Sequence, residues 1–304
     1  MTVLADLGAV FSVGVLASGL RLAVPTALAA IGESISQRAG IFNLGLEGMM
    51  MVGAFTGFAT TSSTGSVALG ILGAAGAGAA LALLMVIGAV IRGTNIIVTG
   101  FALTLLGQGL ANFLYAQNQG RLSTFTPAGE INTLGAVHVP FLGETLFSQN
   151  AFFYLTIALA LLVALLLART RFGLEVTASG SDAGAATAKG VPVRRIRALA
   201  VLAAGAFAGV GGAAITIGSV GNFGSNITAG KGFVAISLVA VARTRIGWVL
   251  LAAAAFGTLE AAEARLEDVA GVPTELLPAL PWIAVVLALV TLAFSRPIRL
   301  RRTA

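Results

Sequence analysis

The sequence predicts an all-α polytopic membrane protein of about nine (eight to ten) transmembrane helices. Three observations predict it. Only 10% of the 304 residues are charged, against about 25% in a soluble globular domain, so the chain lacks the polar groups to cover a water-facing surface. The mean hydropathy is +0.97. The apolar runs extend over roughly 18 to 26 residues, the length a helix needs to cross the bilayer, whereas a membrane barrel shows alternating segments of about ten residues.

Spans are expected at 7–31, 44–61, 66–91, 94–117, 150–168, 196–219, 232–242, 247–265 and 276–295, forming one transmembrane domain over 1–304. The first run has no basic segment before it and reads as a retained span rather than a signal peptide. The seventh is too short for about 30 Å of hydrocarbon at 1.5 Å per residue. It is therefore expected to be broken or re-entrant, or to begin within 220–231.

Orientation follows from the basic residues of the connections. With the C-terminus inside, one face collects Arg38, Arg92, Arg169, Arg171, Lys189, Arg194, Arg195, Arg197, Arg243, Arg245, Arg296, Arg299, Arg301 and Arg302, fourteen of the 18 basic residues. The other face has Arg121, Lys231 and Arg265, and only Arg21 falls inside a span. The chain is expected N-out and C-in, with the tail RPIRLRR against the anionic inner leaflet. The same asymmetry accounts for the pI near 11.0 without a nucleic-acid partner.

The outer connection 118–149 mixes turn formers with Val, Phe and Leu, and reads either as a folded cap or as a plain loop. The inner connection 169–197 is polar and basic and carries the signals of one short helix. Ser181 or Asp182 serves as N-cap, Ala183 to Lys189 as the body and Gly190 as the residue after the end, with Pro192 just beyond. A helix this short is marginal in water, so something must hold it. Gly53/Gly57 and Gly205/Gly209 lie four apart on one helix face each, a spacing that lets helix backbones approach closely and that could equally serve sliding.

Several chemistries are excluded. With no cysteine there are no disulfides, and the single His138 does not make a histidine metal site. The Gly224…Gly230-Lys231-Gly232 stretch has five residues where a phosphate-binding loop requires four, and Gly232 replaces the hydroxyl that would hold magnesium. No Ser/His/Asp set or HExxH is present, so no catalytic residue and no cofactor is expected. What remains is polar residues in or beside spans: Glu33 and Glu47, for which Arg21 is a candidate partner, and the pairs Asn95/Thr99 and Gln108/Asn112, each sharing a helix face. The two glutamates read as facing protein or water within the membrane, or as solvated at its cytoplasmic edge; the two pairs read as a lining for a polar neutral substrate or as interhelical hydrogen bonding. The segment SVGNFGSNITAGKGF (219–233) is a candidate outer gate, because non-helical backbone at membrane depth is tolerated where it lines a cavity; an ordinary turn is the alternative.

The run GESISQRAGIFNLGLEGMMMVGAF (32–55) resembles the signature of permease subunits of ATP-binding-cassette importers of the nucleoside and simple-sugar type, in the branched-chain amino acid/ribose permease superfamily. The loop 173–197 with AVLAAGAFAGVGGAAI after it resembles that family's cytoplasmic coupling loop, and VGNFGSNITAGKGFVAISLVAVA its next pair of spans. The resemblance extends from about residue 20 to 290. It implies a multi-pass subunit of the cell membrane that pairs with a second permease subunit, identical or paralogous, around a central pathway. It also implies a cytoplasmic ATPase that binds ATP and magnesium, and an extracellular substrate-binding protein or lipoprotein.

On that resemblance Ser181, Asp182, Ala183, Gly184, Ala185, Ala186, Thr187, Ala188, Lys189 and Gly190 form the helix that couples to the ATPase. Candidate pathway residues are Asn43, Glu47, Asn95, Thr99, Gln108, Asn112, Asn222 and Phe223. The implied substrates are nucleosides or related purine compounds, with ribose-type sugars as the alternative. A self-contained secondary transporter or channel is the alternative of another class. Two stretches depart from the family pattern: Ser179-Gly180-Ser181-Asp182 at the start of the short helix, and Ala242-Arg243-Thr244-Arg245-Ile246-Gly247, where a second ATPase contact would fall.

Overall fold

The computed structural model describes residues 13–127, 130–132, 148–266 and 279–294. His138, the tail 296–304 and most of the connection 118–149 lie outside the described residues. The described chain is helical, with one two-stranded antiparallel ribbon, β1 (Glu130–Asn132) on β2 (Ser148–Asn150).

The helices are α1 (Val13–Arg38), α2 (Leu46–Thr64), α3 (Val67–Met85, continued by a π-turn over Val86–Ile91), α4 (Ile96–Asn118), α5 (Ala151–Arg169), α6 (Arg171–Ser181), α7 (Ala183–Ala188), α8 (Val193–Ile215, continued by a π-turn over Thr216–Val220), α9 (Lys231–Val241), α10 (Ile246–Leu266) and α11 (Leu280–Phe294). Each apolar run read as a span contains one helix. Among the described residues six helices are long and apolar enough to cross a membrane: α1, α3, α4, α5, α8 and α10. The expected count of about nine also takes in α9 and α11, which are shorter apolar helices, and α2, of whose 19 residues thirteen are buried; the described residues support six.

Local chemistry sets the helix ends. Gly65 closes α2 in the left-handed conformation (φ 70°), donating its N–H to Thr61 O at 2.8 Å. The side chains of Ser66, Asn95, Asn150 and Thr170 accept backbone N–H groups at the starts of α3, α4, α5 and α6, groups that have no partner within a helix.

The interior is built by α8 against α1, α2 and α3. Gly53 faces Gly209 backbone to backbone, Gly78 faces Gly205 and Gly209, and a methyl on Gly212 would strike Met50 O. Glycine spacing thus replaces side-chain interdigitation with direct backbone contact. There is no slack here for a side chain. Gly57, from the sequence pair, packs on Ala213, where an added methyl would lie 2.9 Å from its Cβ. By contrast α4 exposes Val98, Phe101, Leu105 and Phe113, a face suited to lipid or to another protein.

Candidate functional site

Two places in this scaffold depart from regular spans: the inner connection 169–197 and a non-helical region where 39–45 meets 221–232.

The inner connection contains the short helix read from sequence, α7, with Asp182 Oδ1 accepting Ala185 N–H at 3.0 Å and Gly190 at φ 82° beyond its end. It also contains a helix not read from sequence, α6. Ser181 belongs to α6 as its last residue, so Asp182 alone is the N-cap of α7. Ala186 is 4% exposed and packs inward, while Gly184, Ala185, Thr187, Ala188 and Lys189 are exposed. The outward face of α7 is thus small and nearly uncharged.

This connection shares an apolar cluster with α1, Val176 with Ile31 and Ile35, and one side chain ties it to the chain just beyond α1. Arg197 donates through Nε to Ala39 O at 3.1 Å and through Nη2 to Ser179 O at 3.1 Å. Gly180 lies so close to Arg38 O that it has no room for a Cβ. Arg38 in turn donates to Thr244 Oγ1 (3.2 Å) and Thr244 O (3.0 Å), joining the end of α1 to the turn between α9 and α10. Arg197 and Arg38 thus link α6 and α7 to the end of α1 and, through Thr244, to the turn after α9.

After Arg38 the chain doubles back along α1. Ile41 N–H donates to Ser36 O (3.0 Å) and Asn43 N–H to Glu33 Oε1 (3.1 Å). The Asn43 side chain accepts Gly45 N–H at 3.2 Å and approaches Met49 Sδ at 3.3 Å. Both Asn43 and Glu33 are fully buried, and Glu33 Oε2 has no hydrogen-bond partner.

Glu47, in the first turn of α2, is also fully buried. Its carboxylate accepts Thr228 Oγ1–H at 2.5 Å, Gly230 N–H at 2.9 Å and Gly232 N–H at 2.6 Å. It thereby caps the start of α9 from another helix, placing negative charge where the first amides of α9 are unpaired. Segment 221–230 holds Gly221, Asn226, Ala229 and Gly230 at positive φ, so a helix could not run through it. The seventh apolar run is the short α9, about 16 Å long at 1.5 Å per residue, and its carboxylate cap lies on α2. Arg21 is not part of either site: on α1 it is twelve residues from Glu33, about 18 Å along the axis.

Next to this cap Lys231 Nζ donates to Glu260 Oε1 and Oε2 at 2.5 and 2.6 Å, with side chains 13% and 22% exposed. Lys231, read from sequence as a charge of the outer connection, is the first residue of α9 and is paired to α10.

The remaining pathway candidates separate into two sets. Asn95 is the N-cap of α4, accepting Ile97 and Val98 N–H groups, and Thr99 bonds to Thr94 and to Asn95 O; both close a helix start. Gln108 and Asn112 lie further along α4, partly buried, and Asn112 Oδ1 is buried with no hydrogen-bond partner. One turn beyond is Tyr115, whose ring lies 4.9 Å from that of Phe223. Phe223 packs edge-on against Phe55 (5.6 Å), and Phe58 contacts Tyr115 and Phe125. Asn222 turns its side chain onto Phe223 N–H. Segment 122–127 closes over this cluster, with Phe125 N–H donating to Gly221 O at 3.1 Å.

Sequence reading missed Arg38 and Arg197 as ties, having counted both only as topological charge. It also missed Tyr115, Thr228 and Glu260. Glu260 had a signal, an acid inside an apolar run; Tyr115 had another, lying three residues beyond Asn112.

The model of the family described as "Branched-chain amino acid transport system / permease component" matches residues 15–295. The chain belongs to that family. It is 36% identical over 260 residues to a putative glucose ABC transporter permease protein of Haloferax volcanii, covering 85% of this chain and 79% of that protein. It is 29% identical to a nucleoside ABC transporter permease protein of Lactococcus lactis (90% of each chain) and 29% identical to a guanosine ABC transporter permease protein of Bacillus subtilis (88% of each). No solved structure matches the chain significantly. The protein is an ABC transporter permease subunit, a multi-pass protein of the cell membrane and not itself the enzyme of the transporter. Membership implies an ATPase partner and a binding protein in general terms.

Proposed function

We propose that this permease forms the translocation pathway of an ATP-driven importer for nucleosides or related purine compounds. The observation that carries the reading is the half-buried Tyr115, packed on the buried Phe223 about one helical turn from the unpartnered Oδ1 of Asn112. Aromatic faces suit a purine ring, and a buried amide oxygen without a partner is costly until a donor reaches it. A nucleoside offers both an aromatic base and hydroxyl and amine donors. A sugar is the second reading, favoured by the relative from Haloferax at 36% identity; it would use the amides and one ring face.

The chain crosses the membrane N-out and C-in with about nine helical segments, α9 starting within the bilayer beneath 221–230. It pairs with a second permease subunit, identical or paralogous, and receives substrate from an extracellular binding protein or lipoprotein. Asp182 to Gly190 docks on the ATPase, through the exposed Gly184, Ala185, Thr187 and Ala188 rather than the buried Ala186. The uncharged surface of α7 fits a groove, and its length demands a support.

The test is ATP-driven uptake by the reconstituted complex with its ATPase and binding protein. Guanosine accumulates and glucose does not compete on the first reading; the reverse supports the second. Uptake driven by a proton or sodium gradient without the ATPase contradicts both.

A further inference from the structure

At the turn between α9 and α10, a cavity of about 430 Å³ is lined by Arg243, Arg245, Trp248, Leu251 and Ala252 among others. The turn is fixed in shape. Thr244 N–H donates to Val239 O and Arg245 N–H to Ala242 O, both at 3.1 Å, and the Arg38 guanidinium holds Thr244. Arg243 and Arg245 are exposed, and neither makes an ion pair or hydrogen bond through its side chain among the described residues. The chain carries no acidic residue between Lys231 and Glu260. Among the described residues the positive charge at the mouth is therefore unpaired.

Leu251 also lines a second cavity, of about 320 Å³ and nearly all apolar, between Ala23 and Ala27 of α1, Phe153 and Ile157 of α5, and Gly247 and Ala254 of α10. From Gly247 to Ala254 it follows α10 for about 10 Å. Trp248 and Leu251, 59% and 61% exposed, stand with Ala255 and Leu259 on one exposed face of α10, the face a bilayer would meet. A cationic mouth, an interfacial tryptophan and an apolar groove thus follow one another along one helix.

We propose that this composite cavity binds one anionic phospholipid of the inner leaflet. The phosphate lies between Arg243 and Arg245, Trp248 sits at headgroup level, and an acyl chain runs in the groove of α1, α5 and α10. Arginine suits phosphate because its planar fork offers paired donors, and tryptophan partitions to the membrane interface. A free phosphate would leave the groove unused, and the departure of 242–247 from the family pattern weighs against the second ATPase contact expected there. The inference rests on the C-in reading, which puts the 242–245 turn at the cytoplasmic surface. The lipid would brace α10 against α1 beside the Arg38–Thr244 tie.

The chain has two tryptophans and no cysteine, which makes the test direct. The full chain carrying Trp282→Phe is placed in nanodiscs where either phosphatidylglycerol or phosphatidylcholine bears brominated chains at equal mole fraction, and Trp248 fluorescence is read. Brominated phosphatidylglycerol is expected to quench more at low mole fraction, its enrichment falling about fivefold for each arginine replaced in Arg243→Gln and Arg245→Gln. Equal quenching by both lipids overturns the proposal and leaves an ordinary lipid-facing wall. Quenching by neither, with Trp248 shielded in the assembled transporter, overturns it in favour of a protein partner. A Lys189→Cys variant labelled only from outside would show instead that the orientation had failed.

Discussion

The coil 39–45 and the segment 221–230 are both non-helical backbone inside a helical body, and each is held by one buried glutamate, yet the two are held differently. Glu33 accepts a single backbone N–H, from Asn43, and leaves Oε2 without a partner; the coil around it keeps further local bonds, such as Ile41 N–H to Ser36 O. Glu47 accepts three donors from 228–232, a region far away in sequence. Non-helical backbone at membrane depth requires each polar group to find a partner within the protein. The coil meets this requirement mostly by itself, whereas the start of α9 depends on one side chain of α2. The first is a local turn; the second is a long-range tie.

That contrast orders the consequences of mutation. Glu47→Ala strands two backbone amides and a hydroxyl, at about 1–3 kcal/mol for each buried group left unsatisfied. The expected outcome is the largest loss in the series, a permease that fails to assemble or melts well below the parent in a detergent thermal-shift assay. Parent-like melting would mean that 221–230 holds its shape without Glu47. Lys231→Ala should come next, because it leaves Glu260 without its partner, while Lys231→Ala with Glu260→Ala together should recover part of the loss. A double-mutant cycle on melting temperature measures this. Additive losses would show that the pair contributes nothing as a pair.

Arg197→Gln removes a charged tie between Ala39, Ser179 and α8. We expect a modest loss of stability and a clear fall in uptake per ATP hydrolysed, read by uptake and phosphate release on one preparation; unchanged coupling would place transmission elsewhere. Glu33→Gln should be the mildest. The amide oxygen still accepts Asn43 N–H, so a change of less than about 1 kcal/mol is expected for a preserved neutral hydrogen bond. A loss as large as that of Glu47→Ala would erase the distinction between the two regions.

The features legible in the sequence were those written in neighbouring residues. Asp182 capping α7, Gly190 ending it, and the apolar runs that contain the helices are all local patterns. The shortness of α9 was also legible, because eleven residues cannot reach across a bilayer. Helix α6 was not, since its Gly173, Thr177, Ser179, Gly180 and Ser181 have weak helix propensity; tertiary contact supplies the reason, with Gly173 packed on the Leu167 backbone and Gly180 on Arg38 O. The role of Glu47 was hidden for a related cause. Its partners lie more than 180 residues away, and nothing near position 47 announces them. The sequence pairs of glycines suggested either packing or sliding, and the backbone contacts of Gly53 and Gly209 favour packing.

On the function proposed above, α7 is the place where the ATPase acts. A single cysteine can be introduced as Ala185→Cys into a chain that has none, on the exposed face of α7, and the transporter assembled with its ATPase. The measurement is cross-linking of this cysteine to the ATPase by a short bifunctional reagent, with and without ATP. The expected result is a specific cross-link whose yield changes with nucleotide, and protection of the same cysteine from a water-soluble thiol reagent. A cysteine that reacts freely in the assembled transporter and never joins the ATPase would contradict it.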